Sequence, residues 1–139
     1  MNAGSGKAVR VLLVDDHPIV RRGLRAVFAS HCDLKVCGET ASMEGALDAI
    51  RTSGVDLAIV EPLLKSDDGL ELIRRLRKIQ PGLPVLVYTL CDAALFAELA
   101  FRAGADGYVI KRETADRLIH AIREVLAGRK YASQHLRPK

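Results

Sequence analysis

Val55-Asp56-Leu57-Ala58-Ile59-Val60-Glu61-Pro62 decides the fold. The run is apolar at its centre, opens after Gly54, and stops at a carboxylate followed by a proline. A short apolar segment bounded this way, with helical periodicity on both sides, predicts a central parallel strand buried on both faces. In open α/β sheets ligands bind just beyond the carboxyl ends of the strands. Glu61 is therefore expected at a ligand site.

The flanking segments repeat the arrangement. Upstream, Val9–Val14 is β-branched and apolar and ends at Asp15-Asp16-His17-Pro18. Proline is tolerated in a helix's first turn, and Val20, Leu24, Val27 and Phe28 follow at helical spacing. Leu34–Glu39 predicts a second strand, and Met43, Ala46, Leu47 and Ile50 a second helix closed by Gly54. Downstream of Glu61, Asp68 with Glu71 forms a capping-box-like start for a helix carrying Leu72, Ile73, Leu76 and Ile79. Pro84–Thr89 predicts strand four. Asp92 is expected to cap a helix with Leu95, Phe96, Leu99 and Ala103, ended by Gly104. Gly107–Ile110 predicts strand five, and Thr114 a last helix with Leu118, Ile119, Ile122, Val125 and Leu126, stopped by Gly128. Five strand–helix alternations with short connections define an α/β, three-layer (βα)5 sandwich with right-handed crossovers.

At 139 residues, 49% hydrophobic and 27% charged, the chain suffices for one domain with a real core. No apolar stretch approaches the length of a membrane span, and the N-terminus lacks the apolar segment of a signal peptide; the reading is a cytoplasmic location without membrane contact. The net charge of +4 is carried by the ends. Lys7 and Arg10 lie in the first ten residues and Arg129, Lys130, Arg137 and Lys139 in the last eleven, without any acid, whereas residues 11–128 hold all 17 acids and the other 15 bases. A domain that grips DNA shows a basic face on its folded body, so this body is not expected to bind DNA itself. Three cysteines, Cys32, Cys37 and Cys91, are too few for a disulfide framework, and with His31 they make no patterned metal site. Gly4-Ser5-Gly6-Lys7 precedes a strand instead of following one, so it reads as a flexible tail and not a phosphate loop. Arg74, Arg75, Arg77 and Lys78 read as a solvated helix face.

Four strand ends carry polar groups: Asp15 with Asp16, Glu61, Thr89 and Lys111. Carboxylates placed this close repel one another unless a cation neutralises them. Oxygen ligands suit Mg2+, and a hydroxyl with a lysine suits a bound phosphoryl group. Each residue alone has a structural explanation as a cap, a strand end or a solvated charge. Their convergence on one sheet edge is the specific signal.

On these residues the chain resembles a known family. Asp15-Asp16-His17-Pro18, the Asp68-Gly69-Leu70 loop, Thr89 and Tyr108-Val109-Ile110-Lys111 are similar to receiver domains of bacterial two-component response regulators, over roughly residues 9–128. Asp15-Asp16-His17-Pro18-Ile19-Val20-Arg21-Arg22-Gly23-Leu24 is similar to NarL/FixJ-type transcription regulators in particular. The resemblance implies a flavodoxin-like (CheY-like) fold with sheet order 2-1-3-4-5. It implies a metal site of Asp15, Asp16, Glu61 and the Leu63 carbonyl, phosphoryl contacts from Thr89 and Lys111, and Tyr108 as an aromatic rotamer switch. It further implies a sensor histidine kinase as partner, a homodimer, and DNA contact through a C-terminal helix-turn-helix module outside this chain. Residues 1–8 then read as a flexible tail, 9–128 as the receiver and 129–139 as the start of a linker.

Two departures define the reading. The family phosphorylates an aspartate at the end of strand three, where this chain has Glu61. The added methylene moves the carboxylate outward by about 1.5 Å, toward where a phosphoryl group on aspartate would sit. Such a residue imitates phosphorylation only in part, with one charge against nearly two. The family also places proline four positions after the acceptor; this chain has Lys65 there and Pro62 directly after Glu61. Lys65 is a candidate cation to replace Mg2+, whose binding is then weakened or lost. The expected function is an atypical, non-enzymatic receiver that controls transcription in a phosphorelay-type system, with aspartyl phosphorylation lost or mimicked. Alternatives are an ordinary phosphoryl acceptor using Glu61, Asp67 or Asp68, and a small Mg2+-dependent phosphohydrolase, which needs its two acids two residues apart and not adjacent like Asp15 and Asp16.

Overall fold

The computed structural model describes residues 7–136; the expected N-terminal tail lies largely outside them, as do 137–139. The elements are β1 (Val9–Val14), α1 (Pro18–Phe28), β2 (Leu34–Thr40), α2 (Met43–Thr52), β3 (Leu57–Val60), α3 (Gly69–Ile79), β4 (Val85–Thr89), α4 (Ala94–Ala103), β5 (Gly107–Ile110), α5 (Ala115–Leu126) and β6 (Tyr131–Ala132), followed by a 3-10 turn at Gln134–Leu136. All strand pairs are parallel, in the order β2-β1-β3-β4-β5-β6. The five expected strands occupy their expected places. A sixth, drawn from the segment read as linker, extends the sheet beyond β5.

Strand alternation sorts the core into two layers. Leu12, Val14, Ala58, Val60, Val85, Val87, Tyr108 and Ile110 face α2, α3 and α4. Val11, Leu13, Leu57, Ile59, Leu86 and Val109 face α1 and α5. All four residues of β3 are buried, which is why its sequence shows no polar alternation.

Local chemistry sets the helix ends. Ser42 accepts from Gly45 N–H, Asp68 from Leu70 and Glu71 N–H, and Thr114 from Arg117 N–H, each satisfying donors a helix start leaves open. The N-cap of α4 is Ala93, one residue after the expected Asp92, and it makes no side-chain bond; Asp92 pairs with Arg112 at 2.9 Å. Gly104 closes α4 at φ 124°, a conformation glycine adopts without penalty. The solvated reading of α3's basic face holds for Arg74 and Arg75, which pair with Glu71, and fails for Arg77. Arg77 donates to the carbonyls of Pro81, Leu83 and Gly104 and to Asp106 Oδ2.

Candidate functional site

The carboxyl ends of β1, β3 and β5 converge on one ion cluster. Lys111 Nζ lies 2.8 Å from Asp15 Oδ2 and 2.9 Å from Glu61 Oε1. All three side chains are buried: 9% exposed for Lys111 and 5% for each acid. The remaining oxygens are occupied by the loops that follow the strands. Asp15 Oδ1 accepts from His17 N–H at 2.8 Å, Glu61 Oε2 from Leu63 N–H at 2.9 Å, and Asp16 Oδ2 from Lys65 N–H at 2.7 Å. Asp16 Oδ1 is buried without a hydrogen bond, with His17 Nδ1 3.1 Å away in ion-pair range.

Burial works against the Lys111 ammonium, but its hydrogen bonds to Asp15 and Glu61 outweigh that and hold its pKa above the ordinary lysine value. Its charge is secure at neutral pH. Lys111 also lies 5.9 Å from the centre of the Tyr88 ring, within the range of a cation–π contact.

Pro62 and Gly69 shape the loop after β3. Gly69 N–H donates to Pro62 O at 3.1 Å, so the loop closes back on the proline. A Cβ at Gly69 would stand 2.1 Å from Pro62 Cα, closer than any side chain permits. The Lys65 ammonium, the expected replacement for a metal, makes no ion pair among the described residues. The cation inside the cluster is Lys111.

Thr89 is fully buried, and its hydroxyl accepts from Cys91 N–H at 3.4 Å. Tyr108 is also fully buried, and its hydroxyl donates to Cys91 O at 2.6 Å. Burial raises its pKa, and the Cys91 contact adds to the shift. Thr89 and Tyr108 thus meet at the start of the β4–α4 loop, beside the acids instead of bonded to them.

Among the described residues, the group whose ligand atoms lie close enough to share a metal ion is Asp15, Asp16 and His17. Mg2+ fits Asp15 and Asp16 by donor chemistry, and Asp16 Oδ1, which makes no hydrogen bond, is the oxygen most ready to take it. Glu61 is turned to Lys111 and does not complete that group. No helix among the described residues is long and apolar enough to cross a membrane, and all three cysteines are free.

Strand-end position pointed to Asp15, Asp16, Glu61, Thr89 and Lys111, and the family resemblance added Tyr108. Neither found the Cys91 backbone, which carries no side-chain signature, or Ser133. The signal for Ser133 was its place just after Tyr131-Ala132, a short apolar pair inside a basic stretch.

Residues 11–123 match the response regulator receiver domain family, and the chain belongs to it. It is 34% identical over 128 residues to the response regulator GacA of Pseudomonas aeruginosa, which covers 92% of this chain and 60% of that protein. It is 39% identical over 124 residues to the DNA-binding transcriptional activator DevR/DosR of Mycobacterium tuberculosis, covering 87% and 56%. Among solved structures, a LuxR-family two-component response regulator from Aurantimonas sp. SI85-9A1 superposes with a TM-score of 0.88 at 34% identity, over 94% of this chain and 93% of that one. The chain spans less than two thirds of the length of the two curated relatives.

Proposed function

We propose that this receiver controls a transcriptional output through a pocket whose charge is set by Glu61 and Lys111 instead of by aspartyl phosphorylation. The observation that carries the reading is the Lys111 ammonium held between Asp15 and Glu61. Glu61 stands at the end of β3, the position the receiver family uses for its phosphoacceptor. Its oxygens are engaged by Lys111 and Leu63 N–H, which lowers the nucleophilicity of both. Lys111 thereby has a permanent anionic partner where a phosphorylated receiver would supply one transiently. Glu61 gives one negative charge to this arrangement against nearly two for a phosphoryl group; the imitation is partial.

A divalent cation at this site would be held by Asp15 and Asp16 and would supply charge neutralisation. It has to compete with Lys111 for Asp15, which weakens it. Asp67 and Asp68 are poor alternative acceptors: Asp67 Oδ2 accepts from Met43 N–H, and Asp68 caps α3. The adjacency of Asp15 and Asp16 and the regulator relatives both support signalling over turnover. The relative DevR/DosR, a DNA-binding transcriptional activator, supports a transcriptional output, and the family resemblance implies a cytoplasmic homodimer that meets a histidine kinase and acts on DNA through a further C-terminal domain. Any switching needs a second state, and the buried Tyr108 is the element placed to supply it.

Incubation of the parent and of Glu61→Asp with a small acyl phosphate and Mg2+, followed by intact mass, tests the reading. The expected result is a phosphoryl adduct on the aspartate variant alone. An adduct of equal yield on the parent overturns it.

A further inference from the structure

We propose that Ser133 is a positioning residue that ties the segment after α5 to the strand carrying Tyr108 and Lys111. This rests on backbone geometry and stands whether or not Glu61 replaces a phosphoacceptor.

Without β6, β5 would be the sheet's edge strand, and its outer polar groups would lack strand partners. Tyr131 N–H donates to Asp106 O at 3.1 Å and Ser133 N–H to Tyr108 O at 2.9 Å. One residue further along, the Ser133 hydroxyl takes the part of a backbone carbonyl and accepts from Ile110 N–H at 3.1 Å. Ser133 is fully buried and Ile110 2% exposed, so water does not substitute there. On the opposite edge, Lys111 N–H donates to Thr89 O at 2.8 Å. The end of β5 is thus held from both sides, by β4 at residue 111 and by Ser133 at residues 108 and 110. From that fixed point Lys111 reaches Asp15 and Glu61.

The segment is anchored beyond this one hydroxyl. Tyr131 is buried in the α1–α5 layer, its ring edge-on to His120 at 5.7 Å. Leu136 packs against the opposite, α2–α4 layer. A segment gripping both faces of the sheet and bonded to β5 around Tyr108, at residues 106, 108 and 110, cannot shift without disturbing that strand. Coupling of this kind is reciprocal.

The test measures amide hydrogen exchange along the full chain in two directions, with the Lys111 ammonium followed by NMR. Ser133→Ala is expected to speed exchange at Ile110 and Lys111 roughly tenfold and to move the Lys111 ammonium resonance. Glu61→Gln, which perturbs the pocket while keeping its shape, is expected to alter exchange at Ser133 and Leu136. The proposal is overturned if Ser133→Ala lowers stability while the Lys111 resonance stays in place, or if Glu61→Gln leaves residues 131–136 unchanged. Should Ser133→Ala fail to fold, the Glu61→Gln measurement decides alone.

Discussion

Both ends of the sheet carry an ion network, and the two are built differently. At the amino ends of β4 and β5, Arg77 spreads its guanidinium over the carbonyls of Pro81, Leu83 and Gly104 and over Asp106. Asp106 in turn accepts from Val85 N–H at 2.9 Å and from Lys130 at 3.1 Å. Two bases face one acid, and most partners are backbone groups that cannot move independently. At the carboxyl ends, Asp15 and Glu61 share the ammonium of Lys111. A planar fork fixed on carbonyls is a strut, whereas a point charge shared between carboxylates can be redistributed. The fold places rigidity at one end and electrostatic choice at the other.

The carboxyl-end network fails most completely when its central cation is removed. Lys111→Met leaves two buried acids facing each other and is expected to cost about 3–5 kcal/mol, read by urea unfolding. Part of that loss should return on adding Mg2+, because Asp15 is then free to bind it. A loss below about 1 kcal/mol would mean that water already penetrates the cluster.

Gly69→Ala tests the loop of the same pocket. The new methyl would meet the Pro62 backbone at 2.1 Å, so the loop after β3 must shift, at about 2–3 kcal/mol by analogy with overpacked sites. The Lys111 ammonium resonance should move with it. Arg77→Ala addresses the other end. It strips three carbonyls of the guanidinium and leaves Asp106 with Val85 N–H and Lys130, but the Arg77 side chain is 27% exposed and water takes up part of the loss. About 1–2 kcal/mol is expected, with the Lys111 resonance unchanged. A shifted resonance here would join the two networks and erase the distinction.

The smallest effect is absent at neutral pH. Tyr108 and Lys111 both have folded-state pKa values above their ordinary values of 10.0 and 10.5. The stability each contributes is complete below its ordinary value and is lost as pH rises through the folded value. Thermal midpoints should therefore fall above about pH 10. Tyr108→Phe should make that fall shallower by removing one of the groups responsible, Tyr88 being raised by burial as well.

Much of this was legible before folding. The apolar run of β3 announced a strand buried on both faces, and Asp68 and Thr114 announced helix starts through local bonds to nearby N–H groups. The acids, Thr89 and Lys111 could be placed on one edge because parallel strands bring all their carboxyl ends together, whereas Tyr108 was implied by the family resemblance alone. Arg77 and Asp92 were misread because their partners lie far along the chain, and sequence spacing gives no reach to a side chain. Ser133 was missed for the same reason: its partners, Tyr108 and Ile110, are 25 and 23 residues away. β6 itself is two residues long, too short for periodicity to speak.

The chain's own pattern of apolar runs, turn residues and strand-end carboxylates determined the α/β fold and the position of Glu61, and its motifs carried the resemblance to the receiver family. Tertiary structure alone decided that Lys111, and not Lys65, neutralises the acids, and that the segment after α5 closes the sheet. Periodicity is a local property, written in neighbouring residues. Which charge finds which partner depends on distances between residues remote in sequence, and those exist only once the sheet has formed.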